Sequence, residues 1–253
     1  MFDITELKGN KKVVATVEAR MGSSRLPGKV LMTASGDPML MHLVRRLRAV
    51  SLIDEVVIAT SDNDIDDAIF QFAESASICC YRGSEQDVLG RVIEAADSVN
   101  ADIVVAITGD CPVIDPELVE QAIAVFLCHD VHFVTNAQIP LYPDGMDTQV
   151  VMLSLLKETA QLTNDPLDRE HVTRFICQNL ELYSRVHVMA PLSLRRPDLA
   201  LTLDEYGDYE LLKSLIEELS PLNPLFSLAD IMTCIDDHPD WLELNRAVVR
   251  KTD

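Results

Sequence analysis

Along the first half of the chain, short unbroken apolar runs alternate with longer stretches whose apolar positions recur at helical spacing. The runs at 13–17, 56–59, 78–81 and 103–107 read as buried strands. The stretches between them predict helices over 38–50, 65–76, 87–99 and 116–127. Asp37 and Pro38 would start the first, the Ser-Asp-Asn-Asp run at 61–64 would cap the second, and Pro116 sits in the first turn of the last. Strands alternating with helices of this length predict an α/β fold with a mostly parallel, doubly wound sheet. Such sheets bind ligands beyond the carboxyl ends of their strands. That rule singles out the loops after Val17, Ala59 and Ile107.

From Asn136 the rhythm changes. Pro140, Pro143, Asp144 and Gly145 make a turn-rich loop, followed by 149–152, helices near 153–162 and 167–178, and a strand over 183–190. This part, 136–190, is expected to be an inserted subdomain packed on the first sheet. A strand at 200–203 would return to that sheet before a helix at 207–219. The organisation expected is an extension at 1–12, a main domain at 13–219 and a helical tail at 220–253. Internal repeats and long low-complexity stretches are absent from the sequence.

Charge changes this picture. The 253 residues carry 21 basic and 41 acidic side chains, a formal charge of −20. So acidic a chain is not expected to bind nucleic acid, which calls for a basic face. A hydrophobic share of 48% with 25% charged residues excludes disorder as the main state. No window approaches the ~18 apolar residues of a membrane span, and residues 1–12 lack the apolar core of a secretory signal. A soluble, cytoplasmic protein without membrane partners is expected. The six cysteines (Cys79, Cys80, Cys111, Cys128, Cys177, Cys234) form no C-x-x-C pair and read as buried, reduced thiols, with no zinc site.

Against this acidity, residues 11–50 carry eight basic groups and two acids. An anionic ligand is the simplest reason for a cationic island. Arg45, Arg46 and Arg48 read as one solvated helix face. The loop after the first strand, Ala19-Arg20-Met21-Gly22-Ser23-Ser24-Arg25-Leu26-Pro27-Gly28-Lys29, suits polyphosphate binding: glycines let backbone amides approach oxygens, and the cations neutralise spread charge. Arg25 and Lys29 are expected on its exposed surface. It is not a Walker A loop, because five residues separate Gly22 from Gly28-Lys29 and Val30 replaces the magnesium-binding Ser or Thr. The loop Thr108-Gly109-Asp110-Cys111-Pro112 offers Asp110 as a magnesium carboxylate, a hard oxygen ligand beside a triphosphate. Asp204 is a candidate second carboxylate; Asp208 is either a substitute for it or a first-turn helix residue.

Together these stretches resemble the sugar cytidylyltransferases, which include the CMP-KDO and CMP-N-acetylneuraminate synthetases. They are most similar to the branch named for the spore-coat polysaccharide biosynthesis protein F. The carriers are the run from Glu18 to Lys29, then Ala59-Thr60-Ser61-Asp62, Arg82-Gly83-Ser84 with Asp87-Val88-Leu89, and Thr108 to Pro112. Tyr142-Pro143-Asp144-Gly145, Glu170-His171-Val172-Thr173 and Leu201-Thr202-Leu203-Asp204 follow in order. The resemblance implies a Rossmann-like nucleotide-diphosphosugar transferase fold. It also implies transfer of a cytidylyl group from CTP to an acidic or modified sugar for surface polysaccharide synthesis, with loss of pyrophosphate. Arg20, Arg25 and Lys29 match phosphate-holding positions, with Ala19, Gly22, Ser23 and Thr108 lining the nucleotide. Asp110 and Asp204 match the Mg2+ carboxylates. Asp144 and His171 match the sugar side, and residues 136–190 match the part that pairs two copies as a homodimer. Four positions depart from the branch: Glu18 stands for Gln, Ala106 for Arg, Gln149 for Glu and Ala200 for Arg. On the same residues, a non-catalytic relative that binds a nucleotide or a partner enzyme is a second reading, and a hexose-1-phosphate nucleotidyltransferase a third.

Overall fold

The computed structural model describes residues 4–248. A short helix, α1 (Ile4–Lys8), precedes the first strand, β1 (Val13–Glu18). A hairpin of two-residue strands, β2 (Thr33–Ala34) and β3 (Asp37–Pro38), leads into α2 (Met39–Arg48). The alternation then runs β4 (Glu55–Ser61), α3 (Asp67–Ser75), β5 (Cys79–Gly83), α4 (Val88–Ser98), β6 (Ile103–Thr108) and α5 (Pro116–Cys128). After it come β7 (Phe133–Thr135), β8 (Gln149–Met152), α6 (Leu153–Leu162), α7 (Pro166–Glu170), α8 (Arg174–Gln178) and β9 (Arg185–His187). The last two helices are α9 (Tyr206–Leu219) and α10 (Leu228–Asp237).

Seven strands make one sheet in the order β5-β4-β1-β6-β8-β7-β9. β5, β4, β1 and β6 are parallel; β8 runs antiparallel to both β6 and β7, and β7 pairs parallel with β9. The two-residue period of β1 explains why both faces are covered. Val13, Ala15 and Val17 join a core with Leu43 and Leu47 of α2 and Val119 and Ile123 of α5. Val14 points the other way, to Leu89 and Val92 of α4 and Leu156 of α6. The fold is the mostly parallel, doubly wound α/β sheet that the alternation predicts.

Several local expectations are corrected. Residues 136–190 do not stand apart, since β8 and β9 are strands of the main sheet. Residues 200–203 do not rejoin it: one bridge pairs Ala200 with Asp144, while Leu201 and Leu203 sink into a second core with α9 and α10. The helix expected over 167–178 is two short helices. Asp165 caps the first by accepting from Leu167 N at 2.8 Å, and the chain turns extended at His171. The strand over 183–190 shortens to Arg185–His187. Asp37 and Pro38 lie in the hairpin, so α2 starts at Met39. Of the cysteines, all free, only Cys111 and Cys234 are buried. Arg46 is not on a solvated face. It is buried, donates to the carbonyls of Ile114 (2.7 Å), Pro224 (3.1 Å) and Phe226, and stacks on the Phe226 ring. It thereby ties the tail after α9 to the main core. The tail expected at 220–253 holds α10, with its Ser227–Asp230 capping box, and a 3-10 turn at Pro239–Glu243. Residues 1–3 and 249–253 of the expected extension and tail lie outside the described residues.

Candidate active site

The carboxyl ends of β1 and β6 lie side by side, with Glu18 in register with Thr108. Beyond them opens a cleft of about 770 Å³. Gly109 makes the junction possible: its amide donates to the Glu18 carbonyl at 2.8 Å, and a Cβ there would sit 2.5 Å from that oxygen. Ala19, Arg20, Ser23, Arg25 and Lys29 line the cleft from the first loop, and Thr108 and Asp110 from the loop after β6. Gly22 belongs to the same loop but is exposed and lies off the lining. The loop is pinned from below by a residue the sequence reading overlooked. Asp66, buried, accepts from Met21 N at 2.6 Å and also from the Ser61 hydroxyl.

The cations are already engaged with carboxylates. Lys29 Nζ lies 3.1 Å from both Asp110 Oδ2 and Asp204 Oδ1. Arg25 reaches Asp204 at 2.8 Å and Glu205 at 3.7 Å, and the more open Arg20 reaches Glu85 at 3.5 Å. Burial works against the Lys29 ammonium, but the two aspartates outweigh it and hold its pKa above the usual value. Lys29 is thus mostly enclosed and Arg25 partly so, rather than exposed as the loop alone suggests. Arg91 of α4, a second overlooked residue, is buried in the cleft wall and donates to the Ser84 carbonyl at 2.6 Å. Burial lowers its pKa, and Glu18 works in the opposite direction.

Asp204 reaches the cleft because 200–203 runs between the two aspartate loops. Leu201 N donates to Asp144 O and Leu203 N to Asp110 O, both at 2.8 Å. Asp208 has a separate task. Fully buried, it accepts from Asp204 N at 3.1 Å and Glu205 N at 2.9 Å, so it caps α9 and holds the loop that presents Asp204. Asn245 donates to Asp208 Oδ1 at 3.0 Å and to the Ala200 carbonyl at 3.1 Å, clasping that loop from the chain's far end.

A smaller recess of about 160 Å³ adjoins the cleft, with Glu18, Thr108, Glu170 and His171 lining both. Asp144 lines the recess, so both expected sugar-side residues, Asp144 and His171, face one space. His171 owes its place to the break between α7 and α8. Asp147 also lines it; desolvation, then Asp144 and Asp110, push its carboxyl up to about 6. Burial raises Glu18 to about 7 despite the pull of Arg91, with a further push from Asp110. Ala106 and Gln149, opposite one another in the β6–β8 register, complete the floor. Gln149 accepts from the Thr173 hydroxyl at 2.7 Å.

The cleft thus sets a cationic loop at the carboxyl end of a central strand against two converging carboxylates. The chain belongs to the cytidylyltransferase family, whose profile matches residues 14–227. It is 32% identical over 235 residues to the spore coat polysaccharide biosynthesis protein SpsF of Bacillus subtilis, spanning 90% of this chain and 95% of that one. A 3-deoxy-manno-octulosonate cytidylyltransferase of Pelobacter propionicus is 38% identical over 116 residues, 46% of this chain and 44% of the relative. Among solved structures, a cytidylyltransferase from Leptospira borgpetersenii superposes with a TM-score of 0.87 at 31% identity, covering 95% of this chain and all of that one. The fold alone is shared with a CMP:2-keto-3-deoxy-manno-octonic acid synthetase complexed with CTP, at a TM-score of 0.62 and 21% identity over 82% of this chain and 99% of the other. The protein is a nucleotidyltransferase by family.

Proposed function

We propose that this protein transfers a cytidylyl group from CTP to a sugar, acidic or otherwise modified, and releases pyrophosphate, in the synthesis of surface polysaccharides. The observation that carries the reading is Lys29 lying 3.1 Å from both Asp110 and Asp204 at the mouth of the cleft. A sugar oxygen would attack the α-phosphorus as the bond to the β-phosphate oxygen breaks and pyrophosphate leaves, with the hydroxyl proton passing to solvent water. The chain's part is positioning and charge neutralisation. Arg20, Arg25 and Lys29 would take the phosphates, on a loop whose backbone Asp66 fixes. The recess lined by Asp144 and His171 would hold the sugar against the cleft.

Magnesium fits the residues present. The donors are all oxygen, and a single ammonium already bridges the two carboxylates. Among the described residues no three His, Cys, Asp or Glu side chains form a cage, which suits an ion that keeps waters and phosphate oxygens. Asp110 and Asp204 would hold it, and once bound it would offset charge on the phosphates. Pairing of two copies is supported by exposed Leu180, Leu182 and Met189 flanking the edge strand β9. Among the described residues no helix is long and apolar enough to cross a membrane, and a cytoplasmic CTP supply suits the reading.

The test is pyrophosphate formation from each of the four nucleoside triphosphates, with magnesium, over a panel of sugar acids and modified sugars. CTP should be the preferred donor. Transfer confined to another nucleotide would overturn the reading.

A further inference from the structure

The helix α7 keeps its place without an apolar core of its own. Its apolar residues, Pro166 and Leu167, are both exposed, and the chain regains a core only at Val172. Five residues are too few to persist as a helix by propensity alone. The position of α7 therefore depends on polar contacts. Asp168, buried, accepts from the Thr163 hydroxyl at 2.7 Å and from Arg174, which ties α7 to its near neighbours in the chain. Arg169 reaches further. One arm donates to the Ala160 carbonyl of α6 at 3.0 Å, and the other pairs with Asp87, 82 residues earlier.

Asp87 divides its carboxylate between two tasks. Oδ1 accepts from Gly90 N at 2.8 Å and so caps α4. The group lies so close over the first turn that a Cβ on Gly90 would sit 2.5 Å from Oδ2. Oδ2 is the atom that receives the Arg169 guanidinium. Both side chains are half-buried, so water screens the pair only in part.

The ion pair joins two walls of the site. Asp87 stands between Gln86 and Val88, and Arg169 beside Glu170. Gln86, Val88, Pro166, Glu170 and His171 all line the cleft, whereas Asp87 and Arg169 lie off the lining. Glu170 and His171 also line the recess. The loop before α4 and the turn that presents His171 are thus linked from outside the space they enclose.

Resting on the cytidylyl-transfer reading, we propose that Arg169 is a positioning residue. Acting through Asp87, it locks the wall bearing Glu170 and His171 to the loop at 84–88, so that a nucleotide held by one wall steadies the other. Order gained at the nucleotide is passed in this way to the recess where the acceptor would sit.

Hydrogen exchange of the full chain, read by mass spectrometry on peptides covering 84–90 and 166–172, tests this with and without CTP and magnesium. In wild type, CTP should slow exchange in both segments. In Arg169→Ala it should still slow 84–90, while its effect on 166–172 falls about two- to fivefold, the range for one partly exposed ion pair. Asp87→Asn should act alike and stands in if Arg169→Ala fails to fold; asparagine caps a helix as well as aspartate, so only the pair is lost. Arg169→Lys keeps a charge for Asp87 and should retain more of the effect than Arg169→Ala. Slowing of 84–90 alone in wild type, undiminished slowing of 166–172 in Arg169→Ala and Asp87→Asn, or no difference between the lysine and alanine variants would overturn the proposal. CTP binding is measured separately by calorimetry. If CTP does not bind, the cytidylyl reading falls, while exchange in the free chain still decides the link. Asp87→Asn should then speed exchange at 166–172, and Arg169→Ala at 84–90, each about twofold or more. An effect confined to the substituted segment would overturn it.

Discussion

Lys29 and Asp110 meet at 3.1 Å although 81 residues separate them in the chain. The contact joins the loop after β1 to the loop after β6, the two adjacent strands whose carboxyl ends form the cleft. In the free protein it neutralises charges that a triphosphate and a divalent cation would otherwise have to meet bare. On the proposed reading, ligand binding would exchange one set of ion pairs for another, and part of the binding energy would go into that exchange.

Lys29→Ala should weaken CTP binding by roughly 1.5–3 kcal/mol, the range for hydrogen bonds to charged groups. It should also lower stability by about 1 kcal/mol, because Asp110 and Asp204 then face each other without their shared cation. Arg25→Ala should weaken CTP binding similarly with less effect on stability, its side chain being more open. Titration calorimetry and urea unfolding on both variants separate the two effects. Unchanged affinity in both would remove the loop from phosphate binding.

The Asn245 clasp predicts an effect from outside the family-matched segment. Asn245→Ala removes the donor to Asp208 and to the Ala200 carbonyl, so the loop presenting Asp204 should loosen. The magnesium concentration giving half-maximal stabilisation of the CTP complex should rise about threefold or more, for roughly 1 kcal/mol lost. Asn245→Asp keeps an acceptor where a donor is needed beside Asp208 and should behave no better. A magnesium response identical to wild type would show that the clasp has no bearing on Asp204.

Glu18 gives a pH signature. Its folded pKa of about 7 lies above the ordinary 4.5, so between these values the folded chain keeps a proton that the unfolded chain has released. Stability is thus lost as pH rises through about 4.5 to 7. Glu18→Gln cannot ionise and should match wild type near pH 4. Above pH 7 it should be more stable by about 1–2 kcal/mol, discounted from the full shift because the carboxyl still reaches solvent. Urea unfolding of both forms at pH 5 and pH 8 checks the sign. A variant less stable than wild type at pH 8 would mean the carboxylate is favourably paired.

Much of this was readable from the chain. Apolar runs located β1, β4 and β6 because strands buried on both faces have no polar alternation to blur them, and the short run at 78–81 located β5, an edge strand that is exposed or half-buried throughout. β7 was missed, since Phe133–Thr135 is too short to show a period. Residues 200–203 carry a strand's pattern, yet their apolar side chains are taken up by α9 and α10, and only one backbone bridge forms. The phosphate loop and Asp110 were visible in local composition. Asp66, Arg91 and Asn245 were not, because each acts through a contact made only on folding. Arg46 misled for the same reason. A cation beside two other arginines reads as solvated, and the three carbonyls that receive it lie at least 68 residues away.

In the proposed function, Asp110 and Asp204, with Lys29 and Arg25, form a magnesium-assisted CTP site. Titration calorimetry of CTP into wild type and Asp110→Asn, with and without magnesium, is the sharpest check on that site. Wild type should bind CTP more tightly with the metal than without. Asp110→Asn should retain metal-free binding and lose most of the magnesium enhancement, since amide and carboxylate share a shape but not a charge. Absence of CTP binding in wild type, or an undiminished magnesium enhancement in Asp110→Asn, would mean that these residues do not form such a site.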